Sequence, residues 1–150
     1  MGGRPAKTWL GGWLLALLCT ACLAPAWAAE PNAELQVSVI YAQKNAGMGL
    51  DPRVRPYLAE LIKQFTFSSY RLESDSVTRT DLGNSAQFAL PGDKTLLLTP
   101  KSFEKDGRLK VHLSIPKLLE TDLLFAKNGE LFLGGPRHEN GVLILVIRAR

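Results

Sequence analysis

The chain has 150 residues, of which 46% are hydrophobic and 21% charged, so it has room for one domain with a substantial apolar core. Its formal net charge is +4, but Arg4 and Lys7 lie in a predicted leader, and without them the charge is +2. Because this small positive excess is spread among Asp and Glu, it excludes the concentrated basic face of a nucleic-acid-binding protein.

Residues 1–28 have the layout of a secretory signal peptide. A basic start is followed by the apolar run Trp9–Leu23, then by Pro25 and the small-residue site Ala26-Trp27-Ala28. We expect cleavage between Ala28 and Ala29. The mature protein is then exported to the periplasm or secreted, as is typical of an exported bacterial protein.

Two alternatives stay open for this leader. Small residues precede Cys22 as in a lipoprotein signal, although Cys19 stands where such a signal normally has leucine; lipidation of Cys22 would give an outer-membrane lipoprotein. A retained leader is less favoured, because its apolar run is shorter than the ~20 residues that span a bilayer. Membrane association is expected only in these two cases. Both cysteines lie in the leader, so the mature chain has neither a disulfide nor a cysteine metal site.

The mature chain is predicted to consist of a short tether, residues 29–33, and a single domain, residues 34–150. The first predicted strand is Glu34–Ala42, because apolar residues alternate along it. A glycine-containing loop, Gln43–Leu50, follows.

An amphipathic helix is predicted over about residues 51–65. Asp51 is a favourable N-cap, and Pro52 is favourable at the first helical position, where its missing N–H costs nothing. Five apolar residues then fall on one helical stripe: Val54, Leu58, Leu61, Ile62 and Phe65.

Beyond the helix the apolar pattern changes to period two, which is typical of strands. Thr66–Glu73 is predicted as a strand, and Val77–Thr80 either extends it or forms another. Turn signals at Pro91-Gly92-Asp93 and Asn128-Gly129 separate further predicted strands, and the second is interpreted as a hairpin turn. The last run, Val142–Ile147, contains no polar residue and predicts a central strand buried on both faces.

About seven or eight strands with turns every 8–12 residues, together with one helix, predict an α+β fold that is mostly β. We expect an antiparallel sandwich-like or open-barrel sheet. In such a fold the segment between the last two strands, flanked by glycines, is a candidate recognition loop. It consists of Pro136, Arg137, His138, Glu139 and Asn140.

No catalytic, cofactor-binding or metal-binding constellation is found in the sequence, so we predict a non-enzymatic protein without a cofactor. His138-Glu139 begins like the zinc motif H-E-x-x-H, but Val142 occupies the second histidine position. Ser102 and Lys105 match S-x-x-K without the other motifs of that enzyme class. His112 alternates with apolar neighbours and should face away from the core. A hydrolase site would require folding to bring together scattered carboxylates such as Asp51, Glu60 and Glu73.

Residues 94–135 contain three segments in succession, Leu96–Pro100, Lys105–Val111 and Asn128–Gly135. This succession resembles the C-terminal β-region of the secretin family, the ring-forming outer-membrane channels of secretion and pilus systems. The resemblance implies an accessory or degenerate relative rather than a channel. The family's Pro- and Gly-rich segment after the double glycine is missing, and the chain is too short for the family's periplasmic modules plus a channel.

Together these features favour a non-enzymatic cell-envelope protein that acts as an interaction or assembly module, with another envelope protein as its partner. Exposed sheet edges would offer β-augmentation, in which a partner adds a strand to the sheet. The alternative is a periplasmic domain that binds a small ligand or a lipid in the space between the helix and the sheet.

Overall fold

The computed structural model describes residues 2–3, 31–44, 47 and 49–150. The predicted leader, with Cys22, Ala28 and Ala29, lies outside the described residues. In chain order the elements are β1 (Asn32–Gln43), a 3-10 helix (Pro52–Tyr57), α1 (Leu58–Gln64), β2 (Ser69–Asp81), β3 (Ala86–Leu90), β4 (Lys94–Phe103), β5 (Leu109–Ile115), β6 (Leu119–Phe125), β7 (Glu130–His138) and β8 (Gly141–Ala149).

These strands form two antiparallel sheets of four strands each. Sheet A has the order β2-β1-β8-β7, and sheet B has the consecutive order β3-β4-β5-β6. Strands make up 61% of the residues that the structure describes, so the predicted α+β, mostly β sandwich is confirmed. The central strands of sheet A are β1 and β8, which come from the two ends of the domain.

The main hydrophobic core lies between the two sheets, where Val37 of sheet A and Leu98 of sheet B belong to one buried cluster. A second cluster lies on the outer face of sheet A, where Ile144 and Leu61 are both fully buried. The helical segment therefore covers sheet A from outside, and the molecule has three layers: helix, sheet A and sheet B.

The prediction that the last strand is buried on both faces is confirmed. In β8, Leu145 belongs to the core between the sheets, whereas Ile144 and Val146 belong to the cluster under the helix. The adjacent strand β1 is buried in the same way at Ile40 and Ala42, on the face for which simple alternation predicted exposure. The difference arises because the helix covers that face.

The predicted helix is divided into two parts. Its first six residues, Pro52–Tyr57, form a 3-10 helix, and only Leu58–Gln64 is α-helical. Pro56 has no N–H to donate to the residue four positions earlier, so it disfavours regular α-helix across the first turns. Asp51 is the N-cap, as predicted, and accepts a hydrogen bond from the backbone N–H of Arg53.

The apolar stripe of the helix is narrower than predicted. Val54, Tyr57 and Leu61 are buried against sheet A, but Ile62 is 62% exposed. Ile62 lies one residue, about 100° of helical rotation, beyond Leu61. The prediction that Ile62 packs on the sheet is therefore wrong.

The boundaries of the first two strands also differ from the prediction. β1 begins at Asn32, inside the predicted tether, because residues 32 and 33 pair with the end of β2. β2 is a single strand of 13 residues that includes the predicted Val77–Thr80 segment. A bulge at Glu73, opposite Val39 and Ile40, allows this long strand to continue.

The turn at Asn128-Gly129 is present but does not form the predicted hairpin. Asn128 takes a left-handed conformation with φ of 57°, and the N–H of Gly129 donates to the carbonyl of Ala126. However, β6 belongs to sheet B and β7 to sheet A. The turn therefore carries the chain from one sheet to the other, and β7 pairs with β8.

A buried polar contact joins the 3-10 helix to sheet A. The Ser38 hydroxyl, 1% exposed, donates to Oδ1 of Asp75 at 2.9 Å. The Tyr57 hydroxyl lies 3.1 Å from Oγ of Ser38 and donates to it, since the Ser38 proton is already used. Asp75 also accepts from Nε2 of Gln36 at 3.0 Å. These bonds connect β1, β2 and the helical segment.

Candidate functional site

The predicted recognition loop is the tip of a β-hairpin. β7 continues to His138, which pairs with Gly141 at the start of β8. Only Glu139 and Asn140 connect the two strands, and Glu139 has a φ of 48°. The expectation of a five-residue loop is therefore wrong, because Pro136, Arg137 and His138 are part of the strand.

A bulge explains why β7 continues past its double glycine. The register of β7 against β8 shifts between Gly134 and Arg137, which places Gly135 and Pro136 in the bulge. A Cβ at Gly135 would lie 2.9 Å from the carbonyl oxygen of Leu143, so a larger residue does not fit without movement. Pro136 is tolerated since β7 is an edge strand.

His138 is packed into one end of the sandwich. Its ring contacts the Tyr41 ring edge-to-face, with 5.7 Å between the centroids, and its side chain is 22% exposed. The guanidinium of Arg71 lies 5.3 Å from the Tyr41 ring centroid and forms an ion pair with Glu73 at 2.6 Å. The structure thus brings His138 together with Tyr41, in contacts that stabilise the end of the sandwich.

His112 faces away from the core, as predicted, on the outer face of sheet B. Its Nδ1 lies 2.7 Å from Oδ1 of Asp122 and its Nε2 lies 3.1 Å from Oε1 of Glu120. The hydrogen bond from His112 holds the pKa of Asp122 below its ordinary value, with help from the charge of Lys110. In the part of the chain that the structure describes, no group of three or more His, Cys, Asp or Glu residues is arranged to hold a metal ion.

The three carboxylates considered for a hydrolase are held by separate neighbours. Glu60 accepts from Nε2 of Gln64 at 2.6 Å, and Glu73 pairs with Arg71. Asp51 lines a cleft of about 330 Å³ beside β2, whereas Glu60 lines a different groove at the edge of α1.

Asp51 and its neighbours occupy the first part of the outer edge of β2 by forming hydrogen bonds with its backbone. Its Oδ2 accepts from the backbone N–H of Leu72 at 3.2 Å and from Nη2 of Arg53 at 2.7 Å, and Arg53 donates to the carbonyl of Leu72. The backbone of Tyr70 also bonds to Gly49 and Asp51. The hydrogen bonds from Arg53 lower the pKa of Asp51 to about 2. We call Gly49–Arg53 the edge clasp.

The edge of β2 is open beyond the edge clasp. Successive residues of an antiparallel strand direct their N–H and C=O groups alternately to the two sides. Glu34 of β1 exchanges backbone hydrogen bonds of 2.9 Å with Arg150 on the β8 side, so alternate residues of β1 from Glu34 onward face β8. The intervening residues of β1 bond to their register partners in β2, such as Ser76 and Thr78. The outward-facing backbone groups therefore belong to Asp75, Val77 and Arg79.

We call residues 73–81 of β2 the open edge. Among the described residues, β1 is the only strand that pairs with β2. Asp75, Ser76 and Val77 are all exposed, and Val77 is 57% exposed, so solvent reaches both faces of the strand here. Sequence reasoning identified β2 as a strand but not as an edge, because its pairing partner lies about forty residues earlier in the chain.

The other three sheet edges are shorter or interrupted. β3 has 5 residues and β6 has 7, whereas β2 has 13. β7, the other edge of sheet A, contains the bulge and Pro136. The open edge of β2 is therefore the longest uninterrupted strand edge in the described structure, and it is anchored along its length to the buried strand β1.

Comparisons with known proteins give no relative of this chain. No protein-family model matches it, and neither the curated proteins nor the solved structures contain a significant match. Within the described ranges, no helix is long and apolar enough to cross a membrane.

Proposed function

We propose that this protein is a non-enzymatic interaction or assembly module of the bacterial cell envelope, and that its open edge binds an extended segment of a partner protein by β-augmentation. The observation that carries the proposal is the row of outward-facing backbone groups at Asp75, Val77 and Arg79. Such groups form main-chain hydrogen bonds with any extended strand laid beside them.

The rigidity of the sheet behind this edge supports the same function. β2 is paired with β1 from Asn32 to Gln43, and β1 lies in the buried centre of sheet A. Asp75 is fixed by the hydrogen bonds from Ser38 and Gln36. The edge of β2 is therefore already ordered before a partner strand binds, so β2 loses little conformational entropy on binding.

The proposed location in the cell envelope is inferred from the predicted leader, residues 1–28. Cleavage between Ala28 and Ala29 would release the domain into the periplasm, and lipidation at Cys22 would hold it at the outer membrane. The resemblance of residues 94–135 to the secretin C-terminal region agrees with an accessory role in envelope assembly.

The small-ligand alternative has less support. Val54 and Leu61 of the helical segment are fully buried against Ile40 and Ile144 of the sheet, so side chains fill the space in which a ligand was expected. Native mass spectrometry of the purified protein tests this alternative, because a retained small molecule would add a defined mass.

The test of the proposed function is photo-crosslinking in living cells. A photoreactive amino acid at Val77, on the open edge, should give an adduct with a partner protein. The matched control is Leu124 on sheet B, which has a similar exposure of 47% but lies away from the open edge. Absence of adducts at Val77, or equal adducts at both positions, would contradict the proposal. Mass spectrometry of the N-terminus tests the location: a chain that starts at Ala29 would support the periplasm, a lipidated Cys22 would support the outer membrane, and a chain that keeps Met1 would contradict cleavage of the leader.

A further inference from the structure

The residues of the open edge form a charge pattern that is complementary to itself. The sequence Asp75-Ser76-Val77-Thr78-Arg79 has an acidic residue two positions before Val77 and a basic residue two positions after it. When two identical strands pair antiparallel with Val77 opposite Val77, Asp75 of each copy lies opposite Arg79 of the other. The pairing thus contains two opposite-charge pairs around an apolar centre.

The side chains involved lie on one face of the sheet. Asp75, Val77 and Arg79 are the register partners of Ser38, Gln36 and Glu34. This is the outer face, which carries the helical segment, since Ser38 contacts Tyr57 there. The three side chains can therefore meet their counterparts directly across a two-fold axis.

Both charged side chains have capacity for a second partner. Arg79 donates to Glu34 at 2.9 Å and remains 75% exposed. A guanidinium has five N–H donors, so Arg79 can keep its bond to Glu34 while it meets a second carboxylate. A carboxylate accepts about four hydrogen bonds, so Asp75 can keep its bonds from Ser38 and Gln36 and still accept from a partner's arginine.

The length of the open edge selects the same register. The edge clasp occupies the edge up to Leu72, and β2 ends at Asp81, so the open edge is centred on Val77. In a pair centred there, the partner's strand ends opposite Glu73, just before it would collide with the edge clasp. A register displaced by two residues toward the end of the strand would instead place Asp75 opposite Asp81, a pair of like charges.

We propose that the partner of the open edge is a second copy of this chain, and that two β2 strands pair antiparallel about Val77 to join two copies of sheet A into one continuous sheet. This inference rests on the proposed function, in which the open edge is the binding element. The resulting contact is isologous, with the same residues contributed by both copies, as in most symmetric dimers.

The test measures association of the processed protein by sedimentation velocity over a concentration series. The wild-type protein should form dimers. Arg79→Asp and Asp75→Arg, each alone, place like charges opposite each other twice and should weaken dimerisation about tenfold or more. An equimolar mixture of the two variants restores both opposite-charge pairs, so it should form heterodimers with an affinity near that of the wild type.

A second pair of variants does not depend on Asp75, which also supports the fold. Val77→Pro removes an outward N–H at the centre of the interface without removing a bond to β1, and should abolish dimers. Val77→Thr keeps the N–H and should retain them. Circular dichroism confirms that each variant is folded.

The inference is overturned if the wild-type protein is monomeric, or if the mixed variants stay monomeric while each is folded. If the protein is monomeric but Val77 still crosslinks to a different protein, the proposed function stands and only the identity of the partner is wrong. If the probe at Val77 crosslinks to nothing, both the proposed function and the dimer proposal are wrong. A crosslinked product of twice the chain mass from the probe at position 77, lost when Arg79→Asp is introduced into the same chain, supports both.

Discussion

Leu61→Ala tests whether the helical segment is fixed to sheet A by a single narrow stripe. Leu61 is the fully buried residue of α1, and it lies in the cluster formed with Val54, Ile40 and Ile144. Truncation to alanine removes three side-chain carbons from this cluster and leaves a cavity. Ile62→Ala is the matched control, because Ile62 is the next residue in sequence but is 62% exposed.

The expected change in the free energy of unfolding follows from how deeply each side chain is buried. Complete burial of a leucine side chain stabilises a protein by roughly 1.5–3 kcal/mol, and measured Leu→Ala substitutions in cores cost about 2–5 kcal/mol once the cavity is included. We expect Leu61→Ala to lower the free energy of unfolding by about 3 kcal/mol. Ile62→Ala should change it by no more than about 0.5 kcal/mol, as is usual for an exposed position.

Urea denaturation followed by circular dichroism measures both values. All three tryptophans lie within the first 27 residues, in the predicted leader, so their fluorescence would not report on the processed domain. With an m-value of about 1.5–2 kcal/mol/M, the midpoint for Leu61→Ala should fall by about 1.5–2 M. Equal shifts in the two variants would refute the narrow-stripe interpretation, because that result would require Ile62 to contribute as much packing as Leu61.

Three further predictions concern single contacts. Tyr57→Phe removes the hydrogen bond to buried Ser38 and should cost about 1 kcal/mol in thermal or urea unfolding. Gly141→Ala places a Cβ against the backbone carbonyl oxygen of Ala42 and 2.8 Å from the Tyr41 ring, and should cost roughly 1–3 kcal/mol. Gly47→Ala meets no atom of the described residues within 4 Å and should be nearly neutral. The pKa of Asp51 is lowered from 3.8 to about 2, so its stabilising effect is complete above pH 3.8 and is lost as the pH falls toward 2. Asp51→Asn should therefore flatten the pH dependence of stability in that window, as measured by acid titration.

Features that depend on neighbouring residues were predictable from the sequence. The apolar run in β8 predicted burial on both faces, and alternation located most of the strands. Pro91-Gly92-Asp93 predicted the β3–β4 turn, where Gly92 and Asp93 both have positive φ. Asp51 was identified as a cap because its side chain bonds only two residues away. Hydrophobic period and turn chemistry are local, so they can be read without knowledge of the fold.

The identity of neighbouring strands and the position of the open edge follow from the tertiary fold and were not predictable from the sequence. The Asn128-Gly129 signal predicted a reversal of the chain, but the two strands it connects belong to different sheets. Asp51 also bonds to Leu72, 21 residues away, and thereby limits the open edge. Val77 is at the centre of that edge because β2 pairs with β1 and β1 pairs with β8. Such pairings depend on contacts between strands that are far apart in sequence. The apolar faces of these strands have the same alternating pattern in the sequence, so no local signal could specify which strands pair.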